Sequence, residues 1–448
     1  MNARTQTILL ALASTALYVG VLYLTPRADF GLLITQWGTL FLLFWGFTRT
    51  DSQFTNRELS IYASLAVFFR LLAVFALPLL SDDYFRFIWD GTLLGAGENP
   101  FLQLPATYMA DPALAESLGL RSELFEGLNS PEYFTIYPPV LQFIFYVGAS
   151  LSPDSIYGAV VIMKLFVFAA ELGSLWLIYR LLERWQKPLK WFLLYALNPF
   201  VIIELTGNLH FEALMIFFLL LTVYWLDQNR LWLSTTALAL AVASKLLPLI
   251  VLPLMIKRLG WGKAILYGAL VGLWTLLMFL PIMDWATFVH IQESIGLYVN
   301  VFEFNASIWY LIRGIGYWFV DFNIIRQAGP TLSILVMLSI LGYAFAERKT
   351  AWQNMPSSIL WVYLIYLTGA SIVHPWYVST LVAFGALSRF RFPILWSALV
   401  PLTYFAYRNP PAVEESSWIL LLEYLPVASL LVYERYLASK KPSTETLS

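Results

Sequence analysis

Long apolar runs separated by short polar breaks recur along almost the whole chain. A spanning helix needs roughly 17–25 mostly apolar residues. Runs at 8–25, 30–47, 60–80, 157–180, 191–205, 212–226, 263–283, 329–346, 356–373, 393–407 and 417–436 meet or approach that length. The run 231–256 carries Ser244-Lys245 at its middle and Pro248 and Pro253 beyond it, which predicts two short helices meeting at a turn. Segment 376–388 is short and is expected to span. Segments 134–152 and 305–320 are ambiguous: the first opens on Tyr137-Pro138-Pro139, and the second holds Arg313 and two glycines. The expected fold class is therefore an all-α polytopic membrane protein.

Charge settles the ambiguous segments. Basic residues gather around Arg49 and Arg57, around Arg180, Arg184, Lys187 and Lys190, and around Lys257, Arg258 and Lys263. Further clusters are Arg348-Lys349, Arg389 with Arg391, and Lys440-Lys441. The positive-inside rule makes these loops cytoplasmic. Parity then requires 134–152 and 305–320 to lie on, or dip into, the outer leaflet. The bundle has about 12–14 crossings, with both termini cytoplasmic. The chain divides into N-terminal transmembrane helices (1–80), an outer loop with amphipathic helices (81–156), a transmembrane bundle (157–437) and a polar tail expected to be disordered (438–448).

Composition agrees. Only 12% of residues are charged and 59% are hydrophobic, against about 25% charged in soluble domains. The net charge of −1 gives no support for nucleic-acid binding, and the absence of cysteine removes disulfides and thiolate metal sites. The first apolar run lacks a small-residue cleavage site and is expected to be a retained helix.

Against this scarcity of charge, the stretch "LLSDDYFRFIWDGTLLGAGENPF" places Asp82, Asp83 and Asp90 at the edge of a membrane segment. A helix over 82–93 puts Asp83 and Asp90 on one face, with Arg86 in pairing range of both. The plain alternative is a solvated helix start, where acids are favourable. The loop 81–133 that follows is long and acidic, and long ordered loops are commonly functional. Three further segments fall on the same predicted face. "NPFVIIELTGNLHFEAL" brings Asn208, His210 and Glu212 to a membrane boundary, where ionisable groups suggest function. "ASKLLP" sets Lys245 where it can meet a phosphate or simply snorkel to the interface. "SIVHPWYVS" offers His374, Trp376 and Tyr377, or an ordinary aromatic belt. Arg70 and Lys164 sit inside apolar runs and need partners; a structural ion pair is the expectation.

In order, the acid pair with a later Asp and "NPF", "YPP", "KLFVFAAELGSLWLIYRLL", "NP…GN", "SKLLP…LP" and "HPWY" resemble the GT-C fold of lipid-linked glycosyltransferases. Within that fold the likeness is to glycosylphosphatidylinositol mannosyltransferase I and related bacterial mannosyltransferase-like proteins, over about residues 79–390. The resemblance implies a large first catalytic outer loop and a polyprenyl-phosphate sugar donor. It also implies inversion at the anomeric carbon and a carboxylate base. Asp82 and Asp83 fall on the family's Asp-x-Asp, here as adjacent acids, and Asp90 near its second acid. His210 stands where mannosyltransferase I has Asp. Asn208, Lys245 and the Trp376-Tyr377 pair match family positions.

The expectation is an inverting glycosyltransferase that moves a sugar, mannose by resemblance, to a lipid or envelope glycan acceptor on the non-cytoplasmic face. Asp83, Asp82 and Asp90 are the catalytic candidates. Arg86, Tyr137, Asn208, His210, Glu212, Lys245, His374, Trp376 and Tyr377 are the substrate-binding ones. A divalent metal is compatible with the acids but not required, and no other cofactor is implied. The expected location is a bacterial inner membrane with the site facing the periplasm. A flippase or transporter of lipid-linked sugars is the alternative reading.

Overall fold

A computed structural model describes residues 3–49 and 55–440. Among them the chain is all helical, with one isolated bridge between Phe304 and Ile372. The longer helices are α1 (Ala3–Val19), α2 (Phe30–Thr48), α3 (Asn56–Val74), α4 (Asp83–Gly95), α5 (Pro139–Leu151) and α6 (Ile156–Arg184). They continue as α7 (Glu212–Asp227), α8 (Leu231–Ser244), α9 (Trp261–Phe279), α10 (Trp285–Asn300), α11 (Ile325–Ala346), α12 (Met355–Gly369) and α13 (Ser417–Lys440).

The chain is a polytopic membrane protein. Six helices are long and apolar enough to cross on their own: Arg4–Leu24, Phe30–Thr48, Ile156–Arg184, Trp261–Ile282, Ile325–Ala346 and Ser417–Lys440. Leu189–Ala196 and Pro199–Gly207 form a pair bent by 43° that adds a seventh span if taken as one. The other apolar runs of the sequence are built as shorter or broken helices, and proline explains several breaks. Pro199 opens a new turn after Asn198, and Pro248 and Pro253 divide the run after α8 into short pieces. The run 134–152 becomes helical only at Pro139 and gives the 13 residues of α5, too few to span. Segment 305–320 holds one nine-residue helix, Ile308–Gly316, with Arg313 paired to Glu303. The tail also departs from expectation at its start: α13 runs through Lys440, and only 441–448, outside the described residues, remain of it.

Buried charge shows how the bundle is tied around α6. Arg70 of α3 and Glu171 of α6 form a fully buried pair at 2.8 Å. Tyr195 donates to the same carboxylate at 2.5 Å, and the Arg70 guanidinium donates to the Ala196 carbonyl at 2.6 Å. This is the expected structural ion pair. Lys164 has no carboxylate. Its Nζ donates to three carbonyls, of Ala73 (3.0 Å), Ala76 (2.5 Å) and Gly207 (2.6 Å). Those oxygens lie where α3 ends and where the bent pair ends, so satisfying them also joins the two segments that carry the site.

Candidate active site

The acid-bearing helix α4 begins two residues after Ser81, whose hydroxyl accepts from the Asp83 amide at 3.3 Å. α4 packs closely on α5: a Cβ on Gly91 would lie 2.2 Å from the Phe145 carbonyl oxygen, so only glycine permits this approach. The two acids of α4 and Asp82, the residue just before it, have different surroundings. Asp90 is fully buried and accepts three hydrogen bonds: Arg86 donates to it at 2.8 Å, Thr135 at 2.5 Å and Gln142 at 3.0 Å. Arg86 also donates to the Ser130 and Tyr133 carbonyls, pinning the strap that returns from the outer loop. Asp82 pairs with Arg27, which stacks over Tyr407. Asp83 is half-buried and accepts one neutral side-chain bond, from Asn129 at 2.8 Å. Arg86 therefore serves Asp90 and not Asp83.

The second wall is the bend between Pro199 and Glu212. Residues Ile202–Gly207 form a π-helical turn, and the Asn208 and His210 amides continue it by donating to carbonyls five residues back. Such turns often accompany functional sites. Leu209 sits at φ 58°, a costly conformation for a branched side chain. Gly207 packs against Leu22: a Cβ there would lie 2.6 Å from a Leu22 methyl, which would have to shift. The Asn208 side-chain carbonyl accepts from the Leu80 amide at 3.3 Å, linking this bend to the start of the acid helix. Glu204, inside the turn, is fully buried; it accepts from Tyr404 at 2.8 Å and lies 3.3 Å from His210 Nδ1.

A third wall comes from the break after α12. His210, Trp376 and His374 form a continuous ring stack, with centroids 3.8 Å and 4.6 Å apart and planes tilted by 23° and 5°. Tyr377 meets both His374 and Trp376 edge-on. Lys245, just past the end of α8, lies 3.9 Å over the Tyr377 ring and pairs with Glu212 at the start of α7. Tyr137 packs edge-on against Phe87 at 5.0 Å, and Phe87 also contacts Phe211 at 5.2 Å.

Electrostatics distinguishes Asp83 from its neighbours. Burial raises its carboxyl above the ordinary aspartate range, opposed by the nearby His210 and the Asn129 bond and reinforced by Asp82 and Glu212. His374 is pushed down to about 3, first by burial and then by its neighbours Lys245 and His210, so it is neutral at physiological pH. Burial and the Asp83 charge hold the Tyr137 phenol well above its usual value.

The structure thus brings Asp83, Tyr137, Asn208, His210, Glu212, Lys245, His374, Trp376 and Tyr377 to one place, from five separated stretches of chain. Asp90 and Arg86 stand behind it as a buried pair. Asn129, Tyr404 and Glu204 belong to the site without having been singled out by the sequence. Glu204 carried a usable signal, being an acid inside an apolar run; Asn129 carried none. A cavity of about 950 Å³ opens elsewhere, lined by Thr92, Gly95, Glu116, Arg121 and Asp154, and none of the convergent residues lines it. Among the described residues no group of three or more His, Asp or Glu has a metal-binding arrangement.

Residues 8–259, more than half of the chain, match the family model described as alpha-(1->6)-mannopyranosyltransferase, N-terminal domain. The chain belongs to that family. Membership supports a glycosyltransferase, with a sugar donor and an acceptor. No curated protein matches the chain. The matched segment of this mannosyltransferase-family chain includes α4, the Glu204–Glu212 bend and Lys245, whereas His374, Trp376 and Tyr377 lie beyond it. The narrower likeness to glycosylphosphatidylinositol mannosyltransferase I is not what the family match returns.

Proposed function

We propose that this protein transfers mannose from a polyprenyl-phosphate donor to a hydroxyl of a lipid or envelope glycan acceptor, with Asp83 as the base. The observation that carries this reading is the contrast among Asp82, Asp83 and Asp90 at and within α4. Of the three, Asp83 alone lacks a cationic partner in an ion pair, and His210 and Glu212 of the opposite wall lie near enough to act on its charge. An attacking hydroxyl loses its proton as it bonds to the anomeric carbon, and a carboxylate within hydrogen-bond reach takes it. The lipid phosphate leaves with the bonding electrons, and Lys245 offsets the charge that develops on it. Lys245 is paired with Glu212 in this structure, so donor binding exchanges one anionic partner for another. The ring stack offers a flat face for a sugar ring. If the product carries the α-(1→6) bond of the family's description, inversion requires a β-linked donor.

The proposed topology puts loop 81–133 outside and both termini in the cytoplasm, in a bacterial inner membrane. A divalent metal at the acids is compatible with this chemistry without being needed for it.

The test is transfer of labelled mannose from polyprenyl-phosphate mannose to a synthetic α-1,6-linked oligomannoside by the full chain in proteoliposomes. A new glycosidic bond is expected. Movement of the sugar lipid across the bilayer without bond formation would support the flippase reading instead. Labelling of loop 81–133 only from the cytoplasmic side would remove the proposed topology.

A further inference from the structure

The backbone just before His374 is tied to a segment about seventy residues earlier in the chain. The Phe304 amide donates to the Ser371 carbonyl at 3.0 Å, and the Val373 amide donates to the Phe304 carbonyl at 2.8 Å. The Asn305 side chain donates to the Val373 carbonyl at 3.3 Å. Both backbone polar groups of Val373 are thus bonded to residues 304–305, and His374 is the next residue. The Phe304 ring lies 5.3 Å from the His374 ring. The Ser371 hydroxyl adds a bond to the Tyr298 carbonyl of α10 at 2.9 Å.

Asn305 is fully buried and sits at φ 48°, in the left-handed region that asparagine enters more readily than most residues with a side chain. Its other bonds run to the C-terminal part of the chain. Its amide donates to Glu415 at 2.6 Å, and its carbonyl accepts from the Tyr424 hydroxyl at 2.6 Å. Its side chain also donates to Glu423 at 3.2 Å. Glu423 is itself fully buried in α13 and accepts from the Trp396 indole at 2.7 Å. A buried residue bonded in this way is held in one orientation, because moving it would strand several donors and acceptors at once.

We infer that Asn305 is a positioning residue, which fixes the His374–Tyr377 wall of the site by clamping Val373 to α13. The inference rests on the proposed role of that wall in holding the sugar. Asn305 acts through Val373 and Phe304. The turn Pro375–Val378 begins two residues after Val373, and the Tyr377 amide donates to the His374 carbonyl at 3.1 Å, so the three aromatic side chains move with the clamp. A misplacement of about 1 Å in a residue that positions substrate can cost about 100-fold in rate. Every residue of the clamp lies beyond 259, so the family-matched segment supplies the acids while the C-terminal part sets the rings. The clamp also gives Glu415 and Glu423 a role, although neither takes part in proton transfer.

The experiment is a double-mutant cycle on mannose transfer in proteoliposomes, with polyprenyl-phosphate mannose and an α-1,6-linked dimannoside as substrates. The variants are Asn305→Gly, Trp376→Ala and the two combined. Glycine accepts the left-handed backbone and removes only the side-chain bonds. Rates are taken well below the unfolding temperature of each variant. Asn305→Gly should lower kcat/KM by about 10- to 100-fold. Combined with Trp376→Ala it should add almost nothing to the loss that Trp376→Ala causes, because the two act through the same wall. Tyr424→Phe deletes only the bond to the Asn305 carbonyl and is carried through the same cycle, so a failure of Asn305→Gly to fold leaves the inference open to refutation. It should cost about 2- to 10-fold in the wild-type background and little in Trp376→Ala. Losses that multiply in the combined variants would overturn the inference, since Asn305 would then act independently of the wall. So would folded single variants with the wild-type kcat/KM. A wild-type chain that moves no mannose would instead remove the parent reading, and this role with it.

Discussion

Asp83 and Asp90 are seven residues apart, on one face of one helix, and have the same side chain. Asp90 has three donors, one of them the Arg86 guanidinium, and no access to solvent. Asp83 has one neutral side-chain donor, and burial raises its carboxyl above the usual range. The difference separates a charge that holds a structure together from one left free to react. A buried ion pair with three hydrogen bonds to its carboxylate has little capacity left for a substrate proton. A carboxylate whose ionised form is only partly stabilised is a stronger base than an ordinary aspartate and keeps that capacity.

The sharpest way to break this contrast is to neutralise each acid. Asp83→Asn should reduce mannose transfer by roughly 10²- to 10⁴-fold while leaving thermal unfolding unchanged or slightly improved. The sign follows from the raised carboxyl. The folded state binds the proton more tightly than the unfolded chain, so Asp83 favours folding at low pH and disfavours it once both states are ionised. Retained transfer in this variant would end the assignment of the base. Asp90→Asn should do the reverse and lower stability by about 3–5 kcal/mol, because Arg86 is left as a buried charge without its counter-ion. Unfolding in denaturant or heat checks it, and an Asp90→Asn protein of normal stability and no activity would merge the two roles.

Smaller changes sharpen the same contrast. Asn129→Ala removes the bond that helps the ionised form of Asp83, so the acid limb of the pH–rate profile should move to higher pH, at a cost of about 1 kcal/mol. Asp82→Asn should have the least effect. Its pair with Arg27 is partly exposed, and such pairs contribute about 0–1 kcal/mol. A loss of transfer in Asp82→Asn matching that of Asp83→Asn would show that the adjacent acids act together.

Much of the membrane architecture was legible because it depends on composition over windows of about 20 residues. α6 and α9 are apolar over windows long enough to span, despite Lys164 and Glu171 inside α6, and form the helices that their runs predict. The segments with internal prolines or charges were harder, since each break exchanges backbone hydrogen bonds for local caps. The 134–152 run shows this: its Pro138-Pro139 start leaves only the 13 residues of α5 as helix. Lys164 shows a different limit. The sequence shows a lysine that needs a partner, but not that three backbone carbonyls would serve in place of an acid.

The sequence by itself determined that the chain lives in a membrane, that its few charges collect at particular breaks, and which residue types stand at those breaks. These properties are local sums of transfer free energy and side-chain chemistry. Tertiary structure decided which charge answers which. Glu204 meets Tyr404 across 200 positions of chain, Asp90 meets Thr135 across 45, and Lys245 meets Glu212 across 33. In an apolar interior, where an unpaired polar group is expensive, those long-range partners determine whether a carboxylate braces the fold or stays available to a substrate.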